Sequence, residues 1–256
     1  VYGLLSGWWL PRPAGGGHTA PMNELIRTGW RRLWRWTLGT LAAAIVASVL
    51  WVWALGEWAP PFSAFMLADW LEEPSRSLPA QHWVPLAAIS GQLGVAVIAA
   101  EDQRFPEHHG FDLVEIRKAI EQAREDGEAP RGASTISQQV AKNLFLWSGR
   151  SYLRKALEVW FTLLIETLWD KRRILEMYLN FAQFGDHVYG AEAAARRYFG
   201  KAAWDLSAAE AARMAAVLPN PLRYRLDAPD AHVRRRVQWI LGQMNNLGGP
   251  AFLERL

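Results

Sequence analysis

Glu101-Asp102-Gln103-Arg104-Phe105-Pro106-Glu107-His108-His109-Gly110-Phe111-Asp112 is the stretch on which the reading of this chain turns. The apolar run Val95-Ala96-Val97-Ile98-Ala99-Ala100 leads straight into it, so Glu101 is expected at the edge of a packed helix. Downstream come Gly132-Ala133-Ser134-Thr135-Ile136-Ser137-Gln138-Gln139-Val140-Ala141-Lys142-Asn143 and then Arg154-Lys155-Ala156-Leu157-Glu158. Two carboxylates on separate helices, with a cationic, amide-bearing segment between them, suit acid/base chemistry on a sugar beside a negatively charged group.

The sequence around these segments is mostly helical in pattern. Residues 113–124 read as a helix, and Glu125 to Gly132 as a charged, Gly/Pro-bearing loop. That loop is expected to act as a flexible flap over a cleft, ordering when substrate binds. Ser134 or Thr135 caps the next helix, on which Gln138/Lys142 and Gln139/Asn143 are i,i+4 pairs. Ser151 caps a long helix to Trp169, and Asp170 caps another ending near Asn180. Ser207 and Glu210 form a capping box before a helix stopped by Pro219 and Pro221. A last helix runs from about Asp230 to Asn246, with Gly248-Gly249 beyond it. There is no internal repeat and no convincing alternating strand series, so the fold class is expected to be mainly α.

The chain of 256 residues has no cysteine, which excludes disulfides, thiolate metal sites and a cysteine nucleophile. Its net charge of +3 favours an anionic partner. Nucleic acid is not that partner, because no helix-turn-helix, zinc-finger or RNA-binding signature accompanies the charge. From Trp36 to Gly56 no charged residue occurs, a run long enough as a helix to cross a ~30 Å hydrocarbon layer. Arg27, Arg31, Arg32 and Arg35 precede this run, and Glu57, Asp69, Glu72 and Glu73 follow it. The positive-inside bias therefore places the N-terminus in the cytoplasm and the bulk of the chain outside. Trp34, Trp36, Trp51, Trp53 and Trp58 sit near the two ends as interfacial anchors. A cleaved signal peptide fits less well, since the run exceeds a ~7–15 residue h-region and its flanks are Trp-rich.

The expected organisation has a cytoplasmic tail over 1–35, a transmembrane helix over 36–56, a membrane-proximal connector over 57–82 and a catalytic domain over 83–256. Residues 1–21, rich in Gly and Pro, are expected to lie upstream of a true start at Met22. The stretch Phe62 to Leu67, with Trp70 and Leu71, suits a membrane-hugging element and a core segment equally.

From about Trp83 to Gly249 the chain resembles the peptidoglycan glycosyltransferases (family 51), and among them the monofunctional, membrane-anchored biosynthetic transglycosylases of Gram-negative bacteria. The resemblance rests on Glu101, Asp102, Phe105, His108 and Gly110; on Gly132, Ser134, Thr135, Ile136, Gln138, Gln139, Lys142 and Asn143; and on Arg154, Lys155 and Glu158. Lys171, Ile174, Leu175, Glu176, Tyr178, Leu179 and Asn180 extend it. Several ordered matches are far more specific than any one alone. Ala133 departs from the second Gly of many relatives by a single methyl.

The resemblance implies a lysozyme-like, mostly helical domain with a cleft between a globular head and a membrane-facing lobe. It implies polymerisation of lipid II into β-1,4 glycan strands, with release of undecaprenyl diphosphate and inversion at the anomeric carbon. Glu101 would be the general base on the 4-hydroxyl of the acceptor sugar, and Glu158 would stand by the diphosphate, directly or through a divalent ion. Lys142, Arg150 and Arg154 would meet the departing diphosphate. Asp102, His108, Ser134, Thr135, Gln138, Gln139 and Asn143 complete the expected substrate-binding set, with the Gln138 amide orienting sugar or diphosphate oxygens. His108 is also expected to brace Asp102 or the Glu101 segment, while Phe105, Tyr178, Leu179 and Asn180 read as packing and capping. His108 and His109 point apart on any regular element, so no metal-ligand set is expected among the residues. No cofactor is obligatory; Mg or Mn at the diphosphate is the one ion with a place. Partners are lipid II, the growing lipid-linked strand, inner-membrane lipids and cell-wall synthesis proteins, at the periplasmic face of the inner membrane. The plainer readings are an exposed helix-end Glu101, an Arg154–Glu158 pair worth about 0.3–0.5 kcal/mol, and a solvated basic face. A lysozyme-like lytic enzyme, which also carries two carboxylates, and a non-catalytic scaffold are the competing functions.

Overall fold

A computed structural model describes residues 22–75, 78–127, 134–149 and 151–256. Gly132, Ala133, Arg150, residues 1–21 and most of the expected flap fall outside these. The chain divides into two compact units, residues 1–48 and 49–256.

In the first unit the described residues are helical. They belong to α1 (Met22–Glu57), which contains the expected apolar run and begins well before it. Trp30–Glu57 is long and apolar enough to cross a membrane. Leu38, Leu41, Ile45 and Val46 are exposed, as side chains facing lipid would be. Thr37 and Thr40 donate back to the carbonyls of Leu33 and Trp36, which satisfies their hydroxyls without water.

In the second unit the last turns of α1 are fixed to protein. Trp169 Nε1 donates to Val52 O at 2.8 Å, and Arg173 donates to Leu55 O at 2.8 Å and Trp58 O at 2.9 Å. A guanidinium thus meets the carbonyls that a helix C-terminus leaves unpaired. Next come α2 (Ala64–Glu72), capped by Ser63, and α3 (Gly91–Glu101), capped by Ser90. Helix α3 is buried along most of its length and packs on α9 (Ala208–Val217), α10 (Ala231–Asn246) and a 3₁₀ turn over Gly249–Arg255. A second group forms around α5 (Ile136–Phe145), which packs on α6 (Tyr152–Leu168) and α7 (Lys171–Phe181). In chain order α4 (Leu113–Asp126) lies between α3 and α5, and α8 (Ala191–Phe199) is the remaining α-helix among the described residues.

The expected caps at Ser151, Asp170 and Ser207 are formed, and Asp230, where the last helix was expected to begin, is its N-cap. Between the two candidates for α5, Thr135 is the cap. A two-stranded antiparallel hairpin, β1 (Gln183–Gly185) and β2 (Val188–Tyr189), was not anticipated. Strands this short carry no alternation to read. Within the Lys171–Asn180 segment, Asn180 and Glu176 have a structural role: the Asn180 side chain accepts from Val84 N and donates to Val84 O, and Glu176 accepts from Leu86 N.

Gly110 is a fixed point of the fold. Its φ of +86° lies in the left-handed region, and a Cβ there would stand 2.7 Å from Thr162 Cγ2. Gly110→Ala should therefore lower unfolding stability by about 1–3 kcal/mol, read as a reduced denaturant midpoint; an unchanged midpoint would contradict this packing.

Candidate active site

Glu101 is the last residue of α3, with a side chain only 12% exposed. Gln139 Nε2 donates to its Oε2 at 2.9 Å, and Arg236 Nη2 lies 3.5 Å from its Oε1. The Tyr178 hydroxyl donates to Gln139 Oε1 at 3.1 Å, which turns the amide nitrogen of Gln139 toward the carboxylate. Burial pushes the Glu101 pKa above the ordinary carboxylate value, against the pull of Gln139, Arg236 and Lys142. A carboxylate that is oriented, partly desolvated and raised in pKa is suited to accept a proton.

The neighbouring residues lock this carboxylate in place. Asp102 Oδ1 is 2.8 Å from His108 Nε2, and its Oδ2 accepts from Ile136 N, the first residue of α5, at 3.0 Å. Thr135 and Gln138 form a reciprocal capping box: Thr135 N donates to Gln138 Oε1 at 3.0 Å, and Gln138 N to Thr135 Oγ1 at 3.2 Å. Thr135 Oγ1 also donates to Gly110 O at 2.7 Å. Asp102, His108, Thr135 and Gln138, expected among the substrate contacts, are largely buried and make side-chain hydrogen bonds within the protein, and Asp102 and Thr135 also line the cavity beside Glu101. Through Asp102, His108 and Thr135 these bonds join the end of α3 and the loop after it to the start of α5, while the buried Nδ1 of His108 has no hydrogen-bond partner among the described residues. The expected bracing of Asp102 by His108 is present. Lys171 pairs with Glu166 at 2.8 Å and covers the Phe105 ring, whose centroid is 4.5 Å away.

A cationic cluster surrounds the second carboxylate. Glu158 is 4% exposed; Arg154 Nη1 donates to its Oε2 at 3.1 Å, and Lys155 Nζ to its Oε1. Arg154 is 14% exposed, and its buried Nε has no hydrogen-bond partner among the described residues. Lys142 is half-buried, with its ammonium 5.6 Å from the Phe65 ring centroid. Burial lowers the Lys142 pKa, while Glu158 and Glu101 both pull it upward, so the ammonium lies within the field of both carboxylates. Three cations around one buried carboxylate leave a net positive site, suited to a diphosphate.

The same arrangement is a poor fit for a divalent ion, because two cations already hold the Glu158 oxygens. Asp102, His108 and Asp112 bring ligand-type atoms within 4.8 Å of one another, but Asp112 already accepts from Arg104 and from the N–H groups that open α4.

A cavity of about 450 Å³ opens beside Glu101, with Arg104, Ser134, Thr135 and Trp239 in its lining. Ser134 is exposed there, whereas Asn143 is half-buried on α5. Sequence reasoning missed Arg236 and Trp239, which arrive from α10 with no local spacing to Glu101. It also left Tyr178 as packing and Lys155 without a role.

The family described as Transglycosylase matches residues 69–245. The chain is 53% identical over 228 residues to a biosynthetic peptidoglycan transglycosylase of Xanthomonas campestris pv. campestris (strain B100), covering 88% of this chain and 92% of that protein. A protein of the same description from Cronobacter sakazakii is 53% identical over 226 residues, with 87% and 93% covered. Another from Salmonella enteritidis PT4 is 55% identical over 199 residues, with 76% and 82% covered.

Because burial holds the Glu101 pKa up, its ionisation opposes folding. The stability that the protonated form contributes is complete below the unfolded carboxylate pKa and is lost as pH rises through the folded one. Glu101→Gln should then melt higher than wild type at neutral pH, with the gap closing toward acid. A gap that widens toward acid would contradict the burial argument.

Proposed function

The chain belongs to the transglycosylase family, and from that membership we propose that it polymerises lipid II into β-1,4 glycan strands, releasing undecaprenyl diphosphate. As a peptidoglycan glycosyltransferase it serves cell-wall synthesis. In the reaction Glu101 takes the proton from the 4-hydroxyl of the acceptor sugar as that oxygen attacks the donor anomeric carbon. Gln139 and Arg236 hold the carboxylate to its task, and Tyr178 holds Gln139. Lys142 and Arg154, with Arg150 from outside the described residues, receive the charge that moves onto the departing diphosphate. Attack opposite the leaving group inverts the anomeric carbon. Glu158 keeps Arg154 and Lys155 oriented toward that group. No step is routed through a divalent ion, since Glu158 is already held by cations, and no cofactor is obligatory.

The observation that carries this reading is the pairing of an oriented carboxylate with a separate cationic cluster built on a second, buried carboxylate, linked through the field of Lys142. A lytic enzyme must protonate its leaving oxygen and has no use for fixed cations there. The apolar helix is the single-pass anchor; with arginines before it and acids after it, the catalytic unit lies at the periplasmic face of the inner membrane. Both substrates carry lipid tails, so a tethered enzyme meets them in the plane where they diffuse. Cell-wall synthesis proteins are the natural protein partners of an enzyme at that face.

With purified protein and lipid II, Glu101→Gln should lower polymerisation by about 10²-fold or more, and Lys142→Ala by about 10²–10³-fold. Wild type should leave finished, lipid-free glycan uncut. Muropeptide release from mature peptidoglycan by wild type, with Lys142→Ala equally active, would overturn synthesis in favour of lysis.

A further inference from the structure

Trp239 has no part in the chemistry above, yet it stands at the site. It lines the cavity beside Glu101 and also a second hollow of about 300 Å³ formed with His232, Arg235 and Arg236. The indole is therefore a partition between the two spaces. It is 47% exposed, while Val233, Ile240 and Met244 of the same helix are buried. The Arg236 guanidinium, one turn earlier on α10, lies 6.0 Å from the Trp239 ring centroid and reaches back to Ala100 O and Glu101. The ring is thereby steadied against the group that holds the base.

The lining of the Glu101 cavity says what meets this ring. Lys142, Arg154 and Glu158 are absent from it; Glu101, Asp102, Asp112 and Glu115 stand against Arg104 and Lys118. Mixed charge with an acidic excess is unsuited to a diphosphate, and a polar wall is unsuited to a lipid tail. A neutral ring with an apolar C–H face and a rim of hydroxyls fits both the indole and the polar wall.

We propose that Trp239 is a stacking platform for a pyranose ring of the glycan, on the side of Glu101 away from the cationic cluster. This rests on the glycosyltransferase reading and adds a sugar subsite to it. The platform positions the glycan so that the reacting oxygen and carbon meet at Glu101.

The test uses the full chain in detergent micelles with lipid II and a preformed lipid-linked glycan primer. Trp239→Ala should raise a KM by about threefold to tenfold, and Trp239→Phe should restore most of it. A rise in the KM for primer assigns the ring to the growing strand, and a rise in that for lipid II assigns it to the incoming unit. Saturation-transfer NMR with a lipid-free GlcNAc–MurNAc oligosaccharide should lose its sugar C–H signals in Trp239→Ala and keep them in Trp239→Phe. Thermal melts of both variants check folding. Unchanged KM values in both arms overturn the proposal, as does a loss confined to binding of anionic vesicles, which would make Trp239 a membrane contact. A wild type that makes no polymer sinks the glycosyltransferase reading instead, and the oligosaccharide experiment still reads the platform.

Discussion

The Asp102 carboxylate is the junction on which the site depends. It is buried, yet both its oxygens are satisfied, one by His108 and one by the N–H of Ile136 that opens α5. A negative charge at a helix N-terminus is favourable, and a bond to a charged acceptor is among the stronger ones. Because Asp102 directly follows Glu101, this bond sets the distance between the end of α3 and the start of α5. Gln139, one turn into α5, can then reach Glu101, and Tyr178 of α7 can reach Gln139. A chain of hydrogen bonds thus runs from the core of one helical group to the carboxylate on the other.

Electrostatics divides the two ends of the site. At Glu101 one guanidinium and one amide balance a desolvated carboxylate, whose pKa nonetheless rises. At Glu158 the balance is reversed, with Arg154 and Lys155 on the carboxylate and Lys142 close by. Proton removal suits the first end and charge acceptance the second. Burial makes the Lys142 charge costly and lowers its pKa, and the neighbouring Arg154 and Lys155 add to that cost against the pull of Glu158 and Glu101. Binding an anion relieves that cost, so affinity and orientation arise from the same residues.

Much of this was legible before any coordinates. Helix starts were written in side chains that cap backbone N–H groups, so Ser151, Asp170, Ser207 and Asp230 marked true boundaries. The two glutamates and Lys142 stood out through their ordered motifs. What could not be read was direction. Gln138 and Gln139 are adjacent and alike, yet one turns inward to cap α5 at Thr135 and the other reaches Glu101, held there by the Tyr178 hydroxyl. Arg236 lies far along the chain from Glu101, and only the packing of α10 on α3 unites them. Arg173, within a motif segment, is spent on the carbonyls that end α1, a role that no spacing announces.

The central claim is that Glu101, tuned by Gln139, is the base. The pH dependence of kcat/KM for polymerisation tests it most directly. Wild type should show an acid limb above the ordinary glutamate range, because burial raises the Glu101 pKa. In Gln139→Leu the limb should move to still higher pH, since the hydrogen bond that favours the carboxylate is gone. An acid limb in the ordinary range, or one that stays put in Gln139→Leu, would contradict the account.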